Sequence, residues 1–350
     1  MRDSAPLRLN GNMPEDIRRA AQLLREGRLV AFPTETVYGL GADATSAGAV
    51  REVFRLKGRP AANPLIVHGG SVAELHRWCR HWPAEAKALA ERFWPGPLTM
   101  ILPAAEGLAP EVLAGGETVG LRVPAHPVAL ELLGQCRFPV AAPSANPSTR
   151  LSPTTADAVV ELLGGGLAAV LDGGRCDVGI ESAVLDLTGR TPVILRPGVI
   201  TREELSAALG RHVALQGETG IGPGGPLRSP GMLPRHYSPK VPARLVAKAP
   251  ENPGPEAFLV CLGDDHHVEA GRVVLPADPV EYARHLYESL LVAEGSGAQR
   301  ILIERPPQRA AWLAVLDRLE RACTPEQPPH RAPSDGKEPG QSPGNGLPNG

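Results

Sequence analysis

Three observations predict an α/β protein with two domains. Short apolar runs alternate with stretches of helical periodicity through the first two hundred residues, the pattern of a sheet flanked by helices. Asp186-Leu187-Thr188-Gly189-Arg190 separates two strand-like runs with turn residues, so one pairing is a hairpin and the sheet is mixed rather than purely parallel. Periodicity then breaks between Gly217 and Pro242 into Gly, Pro, Ser and Arg, and a second, shorter alternation follows. So long a structureless stretch inside one compact unit is improbable, which marks it as a domain boundary or a functional loop.

The elements follow in order. Ile17, Ala20, Ala21 and Leu24 fall at helical spacing behind Pro14-Glu15-Asp16, and Gly27 stops that helix. Leu29–Phe32 is a short apolar strand ended by Pro33. Helical patterns occupy 47–57, 71–82, 84–94, 127–136, 155–163 and 201–209, with strands at 65–68, 98–102, 119–123, 139–142, 168–171, 184–187 and 193–196 between them. Beyond the break, strands at 243–247, 257–262, 272–275 and 300–303 alternate with helices at 279–293 and 308–322. Thr324–Gly350 holds seven Pro and five Gly in 27 residues with almost nothing apolar, a composition that cannot offset chain entropy by burial, so disorder is expected there. The expected organisation is a first domain over 14–210, a connecting loop over 211–242, a small domain over 243–323 and the tail over 324–350.

Composition narrows the function. Lys plus Arg is 36 and Asp plus Glu is 38, a formal charge of −2, so no polycationic field favours bulk nucleic acid, and direct tRNA binding is expected to be weak or absent. Aromatics are 4% of residues, little material for stacking bases. Cys79, Cys136, Cys176, Cys261 and Cys323 are odd in number, widely spaced and without a C-x-x-C pair, which predicts reduced, mostly buried thiols and a cytoplasmic protein rather than a disulfide framework or zinc site. Neither a signal peptide nor a stretch approaching 18 apolar residues is present, so no membrane association is expected.

Several familiar patterns are misleading. Gly220-Ile221-Gly222-Pro223-Gly224-Gly225 matches the dinucleotide fingerprint by letters, but Pro226 and Ser229-Pro230 prevent a helix from opening behind it. A Walker-type phosphate loop and a G-x-S-x-G elbow are both missing. His266-His267 lacks metal-ligand spacing and reads as a solvated turn.

Other segments carry chemistry. Phe32-Pro33-Thr34-Glu35-Thr36-Val37-Tyr38-Gly39-Leu40-Gly41 ends a strand in a polar cluster followed by glycines that permit close backbone approach, at a strand end where α/β sheets bind ligands. A threonine-capped turn is the plain alternative. Lys57-Gly58-Arg59-Pro60-Ala61-Ala62-Asn63-Pro64 sets a point charge and a planar fork in one turn, suited to a polyphosphate, although cations also suit a helix C-terminus. His68 closes an apolar strand and, taken alone, reads as a satisfied core histidine rather than a ligand-binding one. Arg122, inside the apolar run Thr118–Val123, calls for a carboxylate partner. Ala142-Pro143-Ser144-Ala145-Asn146-Pro147, with Ser152, supplies small donors; Ile180-Glu181-Ser182 opens a strand and Leu195-Arg196-Pro197-Gly198 ends one.

Together P-T-E-T-V-Y-G-L-G, K-G-R-P-x-x-N-P-L-I-V-H, L-R-V-P-x-H, A-P-S-A-N and L-R-P-G stand in order at fitting intervals. The chain resembles the YrdC/Sua family of L-threonylcarbamoyladenylate synthases over about 14–200, and in its two-domain form beyond. Ser229-Pro230-Gly231-Met232 and Arg235-His236-Tyr237-Ser238-Pro239 resemble that form's linker.

The resemblance implies a YrdC-like open, twisted mixed sheet with flanking helices and a small Rossmann-like α/β C-terminal domain. It implies an ATP-dependent condensation of L-threonine and bicarbonate into threonylcarbamoyl-AMP with release of pyrophosphate, the product passing to a tRNA threonylcarbamoyl transferase. By motif position, Tyr38, His68, Arg122, Ala142 and Ser182 would contact threonine. Arg59, Asn63, Thr118, Ser144, Ser152, Arg196 and Tyr237 would contact ATP, with Lys57 and Arg59 serving the chemistry at the phosphates or the bicarbonate-derived carboxylate. Mg²⁺ would ride on the triphosphate without dedicated protein ligands. The loop before Tyr237 would exclude water from the carbamate. Ala183, Thr149 and Leu233-Pro234 depart from the common pattern. Two other readings remain: an RNA- or nucleotide-binding module without chemistry, and a carbamoyl-transferase accessory domain, for which the upstream zinc-finger segments are missing.

Overall fold

The structure, a computed structural model, describes residues 5–218 and 235–323; the Gly220–Gly225 run, Ser229–Met232, Leu233-Pro234 and the 324–350 tail lie outside those residues. In chain order the first domain runs β1 (Leu7–Asn10), α1 (Pro14–Arg25), β2 (Val30–Phe32), β3 (Gly39–Asp43), α2 (Ala47–Lys57), β4 (Ile66–His68), α3 (Val72–His76), α4 (Ala84–Phe93), β5 (Leu98–Pro103), α5 (Pro110–Leu113) and β6 (Thr118–Arg122). It continues through α6 (Pro127–Cys136), β7 (Val140–Ala141), α7 (Ala156–Leu163), β8 (Ala169–Asp172), β9 (Ala183–Asp186), β10 (Val193–Arg196), α8 (Arg202–Leu209) and β11 (Ala214–Leu215). Its eleven strands form one sheet ordered β1-β8-β2-β3-β7-β4-β6-β5-β9-β10-β11. The sheet is mixed, and β9 and β10 are the expected antiparallel hairpin.

Local chemistry explains the helix ends. Ser46 caps α2 by accepting from the Ala49 amide, and Gly58 closes it at φ +59. Thr201 and Glu204 form a capping box on α8. On one face of the sheet α1 and α6 pack Ile17, Ala20 and Leu24 with Val128, Leu132 and Leu133; on the other, Val50, Val53 and Leu89 cover Val67, Leu121 and Leu185.

The small domain contains β12 (Ala243–Val246), β13 (Ala257–Gly263), β14 (His267–Glu269), β15 (Arg272–Pro276), α9 (Pro279–Gly295), β16 (Arg300–Glu304) and α10 (Leu313–Ala322). Its sheet order is β12-β16-β13-β15-β14, parallel except for the edge strand β14. Its core does not stop at the domain boundary. Val37, Leu151, Ile180 and Tyr237 share one apolar cluster with Phe258, Leu286, Tyr287 and Leu319.

Some elements differ from expectation. The sheet begins at β1, before residue 14, and ends with β11, beyond residue 210; both strands are too short and too poor in apolar alternation to stand out. The helix expected over 71–82 stops at His76, because Cys79 bridges to Ala104 and Pro83 holds the chain extended. Gly39-Leu40-Gly41, whose glycines were expected to permit close backbone approach beyond a strand end, is itself part of strand β3. The close neighbour is the Phe32 ring: a Cβ at Gly41 would lie 3.0 Å from it. His266 is more than a solvated turn, since its ring stacks on His285 at 4.1 Å.

Candidate active site

Register puts polar side chains on one face of the sheet's centre. His68 pairs with Arg122 across β4 and β6, and Ile66 lies two residues before His68 on the same face. Val67, Leu121 and Ala141, on the opposite face, are wholly apolar core. Over the polar patch lies a small cavity walled by His68, Arg122, Ala142, Ser144, Ser182 and Arg196 among others, with Thr36, Arg59, Glu181, His236 and Tyr237 also at its wall. The site therefore lies over one face of the sheet at the strand ends expected to bind a ligand, since His68, Arg122 and Arg196 are the last residues of β4, β6 and β10 and Ser182 immediately precedes β9. A second cleft, between β10, α8 and α10, is lined by aliphatic groups together with Arg202, Arg309, Glu203, Asp317 and Glu320, a wall of mixed charge, whereas the cavity gathers Arg59, Arg122 and Arg196 against Glu181.

Nine-tenths or more of each key cation is buried. Arg122 donates to Thr36 Oγ1 at 3.0 Å and to the Gly96 carbonyl at 3.2 Å, and lies 2.8 Å from the Glu35 carboxylate. Its carboxylate partner within the protein is thus Glu35, which the motif contained but which sequence reasoning left without a role. Arg59 donates to the carbonyls of Asn63 and Pro64 at 3.0 and 2.8 Å. Carbonyls orient the fork without neutralising it, and burial pushes the guanidinium down to about 9, with Arg196 adding to the effect against Tyr237. An anion entering the cavity would relieve that cost. Arg196 donates to the carbonyl and hydroxyl of Ser182, and the Ser182 hydroxyl also meets Thr99 Oγ1 at 2.8 Å.

Several buried polar atoms have no hydrogen-bond partner among the described residues: both amide atoms of Asn63, His68 Nδ1, His236 Nδ1 and the Tyr237 hydroxyl. Such atoms are costly unless a ligand or water completes them. Burial drives His68 down to about 3, with Arg122 adding to it, so the ring is neutral and can donate or accept. His236 is likewise driven to about 3 by burial, despite Glu181.

The expected residues divide. His68, Arg122, Ala142 and Ser182 come together at the cavity, as do Arg59, Ser144, Arg196 and Tyr237. Tyr38 does not line it; its hydroxyl donates to the Gly174 carbonyl at 2.8 Å, and Thr36 presents its hydroxyl to Arg122 instead. Thr118 shares the face of Arg122 but stands four residues away, about 13 Å along the strand. Ser152 donates to Glu181 at 2.6 Å, behind the wall, and Asn63 lies beside Arg59. Lys57 also differs from expectation. Its ammonium donates to the Ser144 and Asn146 carbonyls at 2.6 and 2.5 Å, so it braces the loop that carries Ser144 instead of facing the cavity. Burial lowers its pKa well below the usual lysine value, with Arg59 adding to the effect. Sequence reasoning missed Glu35, Thr36, Glu181 and Arg318. Arg318 did leave a signal, because it falls on the apolar face of α10 between Val315 and Ala322.

A buried, cation-rich cavity with orphaned polar atoms on the face of a mixed sheet defines an α/β protein built to hold an anionic ligand. Residues 22–198 match the family described as "Telomere recombination", Sua5/YciO/YrdC, and residues 200–324 match "Threonylcarbamoyl-AMP synthase, C-terminal domain". A threonylcarbamoyl-AMP synthase of Pyrococcus abyssi is 41% identical over 326 residues, 87% of this chain and 93% of its own. One of Bacillus subtilis is 39% identical over 341 residues, 90% and 94% of the two chains. The crystal structure of P. abyssi Sua5 complexed with L-threonine aligns with a TM-score of 0.83 at 37% identity, over 91% of this chain and 98% of that one. The chain belongs to the Sua5/YciO/YrdC family, in the form that carries the threonylcarbamoyl-AMP synthase C-terminal domain.

Proposed function

We infer that the chain synthesises L-threonylcarbamoyl-AMP from L-threonine, bicarbonate and ATP, releasing pyrophosphate, for threonylcarbamoyladenosine beside the tRNA anticodon. It acts as a nucleotidyltransferase. The observation that supports this reading best is Arg59, buried at the cavity wall and oriented by carbonyls, which suits it to a phosphate.

The chemistry asks for positioning more than for a protein nucleophile. Threonine's amine and bicarbonate give a carbamate and water. A carbamate oxygen attacks the α-phosphorus, the bond to the β-phosphate oxygen breaks, and pyrophosphate leaves. Arg122, with Thr36 and Ser182 nearby, would hold the amino acid; Arg59 and Arg196 would hold phosphate oxygens. Mg²⁺ would arrive as part of the ATP substrate and shield its charge. The product would pass to a transferase acting on tRNA. The five free thiols suit a reducing compartment, the cytoplasm; among the described residues no helix is long and apolar enough to cross a membrane.

The test is pyrophosphate release by the full chain with ATP and Mg²⁺. Release that needs both threonine and bicarbonate is expected. Nucleotide binding without turnover when all three substrates are present would replace this reading with that of a non-catalytic nucleotide-binding module.

A further inference from the structure

Glu181 is an awkward residue for a polyphosphate site. It lines the same cavity as Arg59 and Arg196 and is itself buried. A bare carboxylate there would repel a nucleotide and draw the cations toward itself. Its carboxylate is instead fully engaged from behind. Oε1 accepts from Ser152 at 2.6 Å, Tyr287 of α9 donates to Oε2 at 3.0 Å, and Arg318 of α10 donates its Nε to Oε2 at 2.9 Å.

Arg318 reaches further than that pair. It donates to the Glu181 carbonyl at 3.2 Å and to the Pro197 carbonyl at 2.8 Å, so one guanidinium ties the segment before β9 to the end of β10. Its plane lies 5.2 Å from the Tyr237 ring, and none of its side chain is exposed. Asp317 is its second acidic partner, at 3.0 Å. Mere adhesion between domains would not call for this arrangement, because a buried ion pair contributes little over well-packed apolar groups.

We propose that Arg318, delivered by the C-terminal domain, neutralises Glu181 and so keeps the cavity of the first domain receptive to a nucleotide polyphosphate. It is a positioning residue: it acts on nucleotide binding through Glu181. The proposal rests on the ATP reading above.

The test compares calorimetric titrations of the full chain with ATP and, separately, with L-threonine. The chains are wild type, Arg318→Met and the Arg318→Met/Glu181→Gln double variant. Arg318→Met should weaken ATP binding at least tenfold while threonine binding changes less than threefold. The double variant, with both charges gone, should return ATP affinity to within threefold of wild type. A purely structural role gives the opposite order, the double variant binding ATP no better than the single one, and that result overturns the proposal. So does unchanged ATP binding in Arg318→Met. If circular dichroism shows Arg318→Met unfolded, the double variant decides alone: near-wild-type ATP binding supports the proposal and a tenfold loss overturns it. A wild-type chain that binds no ATP sinks the underlying reading, and the proposal with it.

Discussion

Arg122 lies 2.8 Å from the Glu35 carboxylate, so on the proposed reading threonine's carboxylate would share that guanidinium with it. Arg122→Ala removes the fork and leaves Glu35 buried without its partner. The expected result is a rise in threonine KM of roughly 30-fold, the equivalent of about 2 kcal/mol, with ATP KM changed less than threefold in steady-state kinetics. His68 and His236 make a second claim at this scale. The unfolded chain binds protons on both below about pH 6.5, whereas the folded rings resist protonation down to about 3. Stability is therefore full above pH 6.5 and falls as pH drops through that window, by about 2 kcal/mol per histidine at pH 5. Urea denaturation of His68→Asn at pH 7 and pH 5 should show a drop smaller by about that amount; an unchanged drop would exclude His68 as a source. Thr149 explains one departure noted in the sequence. It sits at φ +68, a left-handed conformation costly for a β-branched residue. Thr149→Gly should raise stability by about 0.5–1 kcal/mol after the added chain entropy is counted, measured as the urea midpoint at constant m-value.

Helix α2 shows what an element's end can do. Its C-terminus is already closed by Gly58, so Lys57 is not needed as a cap, and its ammonium is spent on the loop after β7. Lys57→Met should cost about 2 kcal/mol of stability, because buried carbonyls lose a charged donor. It should also raise ATP KM by displacing Ser144; an unaltered thermal midpoint would count against the brace. Elements differ in how plainly the sequence announces them. Helices with caps and strands of continuous apolar residues were readable, because capping and burial are local signals. β1, β11 and β14 were not, since two- to four-residue edge strands gain their register from neighbours far along the chain. At the site, cations set in apolar strands or Gly/Pro turns, Arg59, Arg122 and Arg196, were readable as residues that converge on one cavity. Tyr38 and Lys57 point elsewhere for reasons that depend on tertiary packing: the hydroxyl meets Gly174 and the ammonium meets Asn146. Glu181's partner lies 137 residues away, beyond any local pattern.

Across the whole molecule the two domains meet without slack. A Cβ at Gly179 would lie 2.5 Å from the Arg284 Cα of α9, and the residue adopts φ +81. Gly179→Val should wedge α9 away from the segment that carries Glu181 and Ser182. The thermal midpoint should fall by several degrees, together with ATP affinity; a midpoint equal to wild type would show that the interface yields.

The shared apolar cluster has a consequence for how the protein can be made. Val37, Leu151 and Ile180 are covered by side chains of the C-terminal half, so either half alone presents a sticky face to water. The peptide link between the halves is then a convenience of synthesis more than a source of cohesion. A protease site engineered between residues 218 and 235 and cleaved should leave two fragments that elute together from a sizing column. Halves expressed as separate polypeptides should find each other in the same cell and restore activity. Fragments that elute apart would show that covalent continuity, not the common core, keeps the pair assembled.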